Sequence, residues 1–239
     1  MNSKQSVMER LSTLVGSRYA ALLLVLLVHL TLFSFLDQHH AIRWVLDVSI
    51  LALIGSALHA ISGRRWLRGF VIVVGVSAII LGTLARELNV EFAFPFGTLA
   101  KALLFGFVIV IIFKDVLKRS EVDMDAVFGA CCVYLLMGLA WESVYLWVEW
   151  RIPNSFALPA GTPAAAGDLG AAASQTDLLY FSLITMTTIG YGDITPKSPP
   201  ARILAALQGL VAQLYLAIII ARMVGMELAS RRSDASPKQ

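Results

Sequence analysis

The sequence predicts an all-α membrane protein: six transmembrane helices, with a short re-entrant helix and loop between helices 5 and 6. Three observations lead there. Of the 239 residues, 58% are hydrophobic and only 15% charged, and the mean hydropathy is +0.75, a balance foreign to a water-soluble domain. Six apolar stretches approach the roughly 20 residues that a bilayer core about 30 Å thick demands of a helix. A seventh, 176–188, is too short to cross and runs straight into a glycine-containing loop that ends at Pro196.

The first stretch, 19–36, stands where a signal peptide would, but it ends in Phe33-Ser34-Phe35-Leu36 with no small-residue cleavage site, so it is expected to stay in the mature protein. The others are 44–61, 66–85, 96–113, 127–147 and 203–224. Of the nineteen Lys and Arg residues, thirteen fall in the termini and in the segments on their side of the membrane, and six on the other side. The positive-inside rule therefore predicts cytoplasmic termini. The pI of about 9.0 does not point to nucleic acid, because the basic residues lie between apolar runs and share no single face. The two cysteines, Cys131 and Cys132, are adjacent within an apolar run, so they cannot build a disulfide framework and are expected to be small buried residues.

Between the fifth and sixth stretches, residues 153–173 are rich in Ala, Gly and Pro and are expected to form a flexible outer loop. In the short helix that follows, either Ser174 or Thr176 can cap the N-terminus, and Asp177 suits the positive end of the helix dipole.

Residues Thr187-Thr188-Ile189-Gly190-Tyr191-Gly192-Asp193 closely resemble the signature of potassium channels, usually Thr-Val-Gly-Tyr-Gly followed by Asp, with Ile189 in place of the valine. The resemblance is to six-transmembrane tetrameric pore-loop channels of bacterial-like type that lack an arginine-rich voltage-sensing span. At motif level it covers 128–226, and the first four spans match only in number and length. It implies a pore domain over 120–226, made of an outer helix 127–147, a turret 150–175, a pore helix 176–187, a selectivity filter 188–192 and an inner helix 201–226. Residues 1–18 would be a cytoplasmic segment, 19–119 a four-helix domain like a voltage sensor in helix number alone, and 227–239 a cytoplasmic tail too short and polar for a ligand-binding domain. A multi-pass protein of the plasma membrane, the bacterial inner membrane, is expected.

The residue types suit that chemistry. A permeating ion exchanges its water shell for oxygens at nearly equal energy, and rings of backbone carbonyls supply them. By resemblance, K+ is held by the carbonyls of Thr188, Ile189, Gly190 and Tyr191, with the Thr188 hydroxyl closing the inner end. Aiming successive carbonyls at one axis needs positive φ, which only glycine accepts cheaply, and Gly190 and Gly192 supply it. The resemblance also assigns support roles. Thr187 ends the pore helix, Tyr180 and Phe181 form an aromatic cuff for the Tyr191 ring, and Tyr180 donates to Asp193. Glu149 would tie the pore loop to the outer helix, with Glu142 as runner-up, and an acid in such a span can equally bond local backbone. Ile184 replaces a buried carboxylate found in some relatives. Gln208, Gln213 and Tyr215 are candidates to wet a central cavity, or else to bond helix to helix. Gly209 and Gly225 are candidate bending points, though Gly209 can equally be a close-packing site, because spacing from the filter puts Ala212 where a hinge glycine often occurs in the family.

A voltage-sensing span carries Arg or Lys every third residue, whereas 96–113 has Lys101 alone and no charge from 102 to 113. Weak or no voltage dependence is expected. His39 and His40 lie in a loop expected to be solvated, and Arg64, Arg65 and Arg68 serve as topology determinants or anionic-lipid contacts. The implied function is passive, potassium-selective transport by a homotetramer in a lipid bilayer, since one chain holds one filter motif and the pore needs four. No organic cofactor, organic substrate, nucleic acid or enzymatic activity is expected; K+ is the permeant ion. The alternatives are a non-conducting pore-like sensor or assembly subunit and a less selective monovalent cation channel.

Overall fold

A computed structural model describes residues 18–36, 44–60, 65–87, 93–119, 123–159 and 173–235. His39, His40, Arg64 and most of the expected turret lie outside them. The chain folds as helices α1 (Arg18–Leu36), α2 (Trp44–Ala60), α3 (Arg65–Glu87), α4 (Ala93–Lys118), α5 (Met124–Arg151), a strand β1 (Phe156–Ala157), α6 (Gln175–Met186), a strand β2 (Thr195–Pro196) and α7 (Pro199–Ala235). Four of these, α3, α4, α5 and α7, are long and apolar enough to cross a membrane; α1 and α2 are shorter apolar helices.

Helix α5 is the wall on which the rest is mounted. Helices α1 and α4 pack on one side of it, α6 and α7 on the other, while α2 and α3 close the first group by packing on α1 and α4. Close approach depends on glycine at two places along α5. A Cβ on Gly129 would lie 2.9 Å from Val116 Cγ2 and 3.0 Å from Tyr19 Cδ2, and one on Gly138 would lie 2.8 Å from Leu183 Cδ2. Gly129 thus admits α1 and α4, and Gly138 admits α6. Cys132 is buried as expected, but Cys131 is exposed, because adjacent residues on a helix point about 100° apart and cannot both face the α1 contact.

The α4–α5 connection is tied by charge. Arg119 donates to Asp123 at 2.6 and 2.8 Å, to Asp125 at 2.7 Å and to Asp115 at 3.3 Å. Burial works against its charge, but these carboxylates outweigh burial and push the guanidinium's pKa up. Asp123 also caps α5, accepting the Ala126 N–H at 2.8 Å. From α7, Arg222 Nη2 reaches the carbonyls of Leu117 and Arg119, where the negative end of the α4 dipole welcomes a cation.

Two further features depart from the sequence reading. The inner helix does not stop near 226 but continues to Ala235, since Met226, Glu227 and Leu228 are good helix formers and nothing breaks the helix there. The start of the turret is ordered too: Ser155 and Phe156 are buried, and β1 pairs antiparallel with β2, Phe156 opposite Pro196 and Ala157 opposite Thr195.

Candidate functional site: the loop after helix α6

The site is a loop held at both ends. Helix α6 begins with a capping box in which Ser174 and Asp177 bond each other's backbone N–H groups, so Ser174, rather than Thr176, is the cap. Its far end is held by side chains: Tyr134 Oη at 2.9 Å and Gln213 Nε2 at 3.3 Å both donate to the Met186 carbonyl, one of the acceptors that a helix C-terminus leaves free. Thr187 is the C-cap, and its hydroxyl turns back to the Leu183 carbonyl at 2.9 Å.

The chain then changes hand at every residue. Among the described residues of the loop, φ is positive at Thr188 (59°), Gly190 (52°) and Gly192 (79°) and at no other position. Alternating the sign of φ cancels the helical advance and brings successive carbonyls toward one side of an extended ribbon. Gly190 and Gly192 adopt this geometry freely. Thr188 does not; the left-handed region costs a residue with a Cβ about 1–2 kcal/mol, a strained position that the sequence reading missed because it assigned positive φ to glycines alone. The base of the ribbon is pinned to α6, where the Ile184 carbonyl accepts the N–H groups of Ile189 at 3.1 Å and Gly190 at 3.2 Å. Past the ribbon, the Lys197 N–H bonds the Ser155 carbonyl at 2.7 Å, so the β1–β2 pair clasps the outgoing strand.

The expected support residues divide. Tyr180 Oη donates to Asp193 Oδ2 at 2.8 Å, and that bond, with a smaller contribution from desolvation, raises the Tyr180 pKa. Within the chain, Phe181 does not meet Tyr191. It packs edge-on against Tyr145 and Phe156, with ring centroids 5.3 Å apart in both cases, because residue 181 faces α5. Tyr191 itself is 70% exposed and Ile189 54%, and no ring of the chain packs on Tyr191 among the described residues.

Glu149 is fully buried, and its Oε1 accepts the Asn154 N–H at 2.9 Å, so it ties the turn that follows α5 rather than the pore loop. Glu142 lies two helical turns away and takes the Ser143 hydroxyl at 3.1 Å. Of the cavity candidates, Gln208 and Tyr215 are bonded helix to helix. Gln208 is fully buried and bonds Tyr145 and Ser182, and Tyr215 Oη donates to the Ala130 carbonyl at 2.7 Å. Only Gln213 stands exposed beside the end of α6. Ala212 is buried, and a Cβ added at Gly209 would meet nothing within 4 Å.

Residues 133–227 match the family model described as Ion channel. Among curated proteins, the chain is similar to Two pore potassium channel c of Oryza sativa subsp. japonica, 38% identical over 72 residues, which is 30% of this chain and 15% of that protein. It is similar also to Two-pore potassium channel 3 of Arabidopsis thaliana, 28% identical over 120 residues, 50% of this chain and 23% of that protein. The chain thus spans less than a quarter of the length of these relatives. Both are plant proteins, where a bacterial membrane was expected. No solved structure matches the chain.

Proposed function

We propose that this chain is a subunit of a potassium-selective ion channel, and that four copies surround a pore lined by residues 188–192. The observation that carries the reading is the alternation of φ at Thr188, Gly190 and Gly192 within a Thr-Thr-Ile-Gly-Tyr-Gly-Asp motif. That backbone can offer a ladder of carbonyl oxygens to a desolvated monovalent cation. The K+ ligands are the carbonyls of Thr188, Ile189, Gly190 and Tyr191; Gly192 turns the chain out, and Tyr180 and Asp193 brace it from behind.

Several features support the assembly. One chain carries one filter, and its ribbon is exposed together with Leu207, Leu210, Val211, Leu214 and Ile218 of α7, a continuous apolar face that a single copy leaves uncovered. Copies related by a closed rotation cover it. In this reading α6 is re-entrant, 120–226 is the pore domain and 19–119 an accessory four-helix domain with weak or no voltage sensitivity. At 1.5 Å per residue, the 19 residues of α1 reach about 28 Å, so α1 and α2 complete six spans in the plasma membrane, with both termini cytoplasmic.

The test is ion flux into liposomes carrying the purified protein. K+ and Rb+ should enter and Na+ should not, and Gly190→Asp should abolish entry. Equal Rb+ and Na+ entry would replace the reading with a less selective cation channel, and no flux under any condition with a non-conducting sensor.

A further inference from the structure

The buried polar network behind α6 does more than glue helices. Gln208 is fully buried, as are Tyr145 and Ser182. Gln208 Oε1 accepts from Tyr145 Oη at 2.5 Å, Nε2 donates to Ser182 Oγ at 2.7 Å and to the Ser182 carbonyl at 3.1 Å, and Ser182 Oγ donates to the Gly138 carbonyl at 2.8 Å.

Every direction in this chain is forced. A carbonyl only accepts, so the one hydroxyl hydrogen of Ser182 is spent on Gly138. The Ser182 hydroxyl oxygen and carbonyl can then take only donors, so the amide NH2 of Gln208 must face α6. Its oxygen is left for Tyr145, which must donate. One amide therefore joins α5, α6 and α7, with both its hydrogens and its oxygen used.

We propose that Gln208 is a positioning residue for the selectivity filter. The inference rests on the channel reading. Two residues beyond Ser182, the Ile184 carbonyl holds the N–H groups of Ile189 and Gly190, so the height and rotation of α6 at Ser182 set where the carbonyl ladder stands. α7 grips α6 again one turn on, through Gln213 and the Met186 carbonyl. That second contact is only partly buried, whereas the Gln208 contact is closed to solvent. An apolar side chain at 208 would fill the same space and spare the cost of burying an amide, but it would leave the Ser182 carbonyl and the Tyr145 hydroxyl without this partner and α6 without its register.

The experiment compares Rb+ and Na+ entry into liposomes for the wild type, Gln208→Leu, Tyr145→Phe and Gln208→Glu, using protein that elutes as the wild-type oligomer in detergent. Gln208→Leu should lower the Rb+/Na+ ratio about tenfold, the discrimination that one buried hydrogen bond can set. Tyr145→Phe, which removes one oxygen and keeps the ring, should lower it in the same sense and carries the test should Gln208→Leu not assemble. Gln208→Glu separates positioning from packing. As a neutral acid it both donates and accepts, but ionised it has no donor, and burial raises a glutamic acid's pKa to about 8–9, so its ratio should approach the wild type at pH 5 and fall as pH is raised beyond that range while the wild type stays flat. Assembled variants with the wild-type ratio at every pH overturn the inference and leave the channel reading intact. A wild type that passes no K+ or Rb+ overturns the channel reading and the inference with it.

Discussion

At the scale of single residues, the loop after α6 is governed by backbone conformation more than by contacts. A Cβ added at Gly190 or Gly192 would meet no atom within 4 Å, so nothing within the chain would obstruct a side chain there. The requirement for glycine is conformational, from φ of 52° and 79°. These two roles were legible because glycine is the residue that signals positive φ. Thr188 was not, since nothing in a threonine announces a left-handed conformation. Tyr180 was legible through its spacing from Asp193, and its bond makes a prediction. Tyr180→Phe keeps the ring and removes the donor, leaving Asp193 without the phenol that braces the outgoing strand. Rb+ entry should become less selective over Na+ and decay faster during a sustained flux assay; unchanged selectivity and time course would show that the bond is idle. The sign of the pH effect follows from the same contact. The phenol's pKa is raised above its ordinary 10.0, so the neutral donor is the favoured form, and on the alkaline side the bond is lost only as pH climbs through the raised value.

At the scale of elements, α5 decides where everything else stands, and Gly138 is where it receives α6. A Cβ at Gly138 would meet the flexible end of Leu183 at 2.8 Å, a contact that a small rotation of the leucine relieves. A β-branched side chain allows no such relief, because its second methyl meets α6 wherever the first one does not. Gly138→Val should therefore destabilise the assembled protein by about 1–3 kcal/mol, while Gly138→Ala costs less. Thermal unfolding in detergent measures both, and equal midpoints for Gly138→Val and the wild type would mean that α6 is not seated there. The long helices were readable because apolar length is a strong signal. The β1–β2 clasp was not, since two-residue strands carry no period and the Ala, Gly and Pro around them resemble a loop. Phe156, packed between Tyr145 and Phe181, was the one apolar clue to an anchored segment. Gln208 and Tyr215 stayed open between cavity and helix contact for a related reason, and the structure gives the helix contact. A polar side chain on a membrane helix says that it avoids lipid, but whether it turns to a cavity or to a neighbouring helix depends on helix rotation, which spacing from the filter does not fix.

At the scale of the whole molecule, the question is whether α1–α4 can work against the membrane field. Moving one elementary charge through 100 mV yields about 2.3 kcal/mol, so a steep response requires several mobile charges on one helix. α4 offers Lys101 near one end and Lys114 near the other, and between them a run without charge. Its burial argues the same way. Leu104, Phe105, Val108, Ile112 and Val116 are all buried, and they lie at helical spacing on the side turned into the bundle, where Val116 stands over Gly129 of α5 and Leu104 beside Gly75 of α3. A sensor helix slides with its charges in watery crevices, whereas sliding α4 by even one turn would break this apolar seam. The far end is held as well, through Arg119 and its three aspartates and through Arg222 of α7 on the last carbonyls. In the proposed channel, opening would therefore act through a movement in which α4, the linker and α7 travel together, and the field would have little purchase on such a movement. In planar bilayers with equal K+ on both sides, current should rise in near proportion to voltage between −100 and +100 mV, roughly the range over which a single charge gains that 2.3 kcal/mol on each side of zero, with no sigmoidal rise in open probability. A conductance that climbs steeply enough to require several gating charges per subunit would mean that α4 moves apart from α5, against the seam and the Arg119 and Arg222 contacts alike.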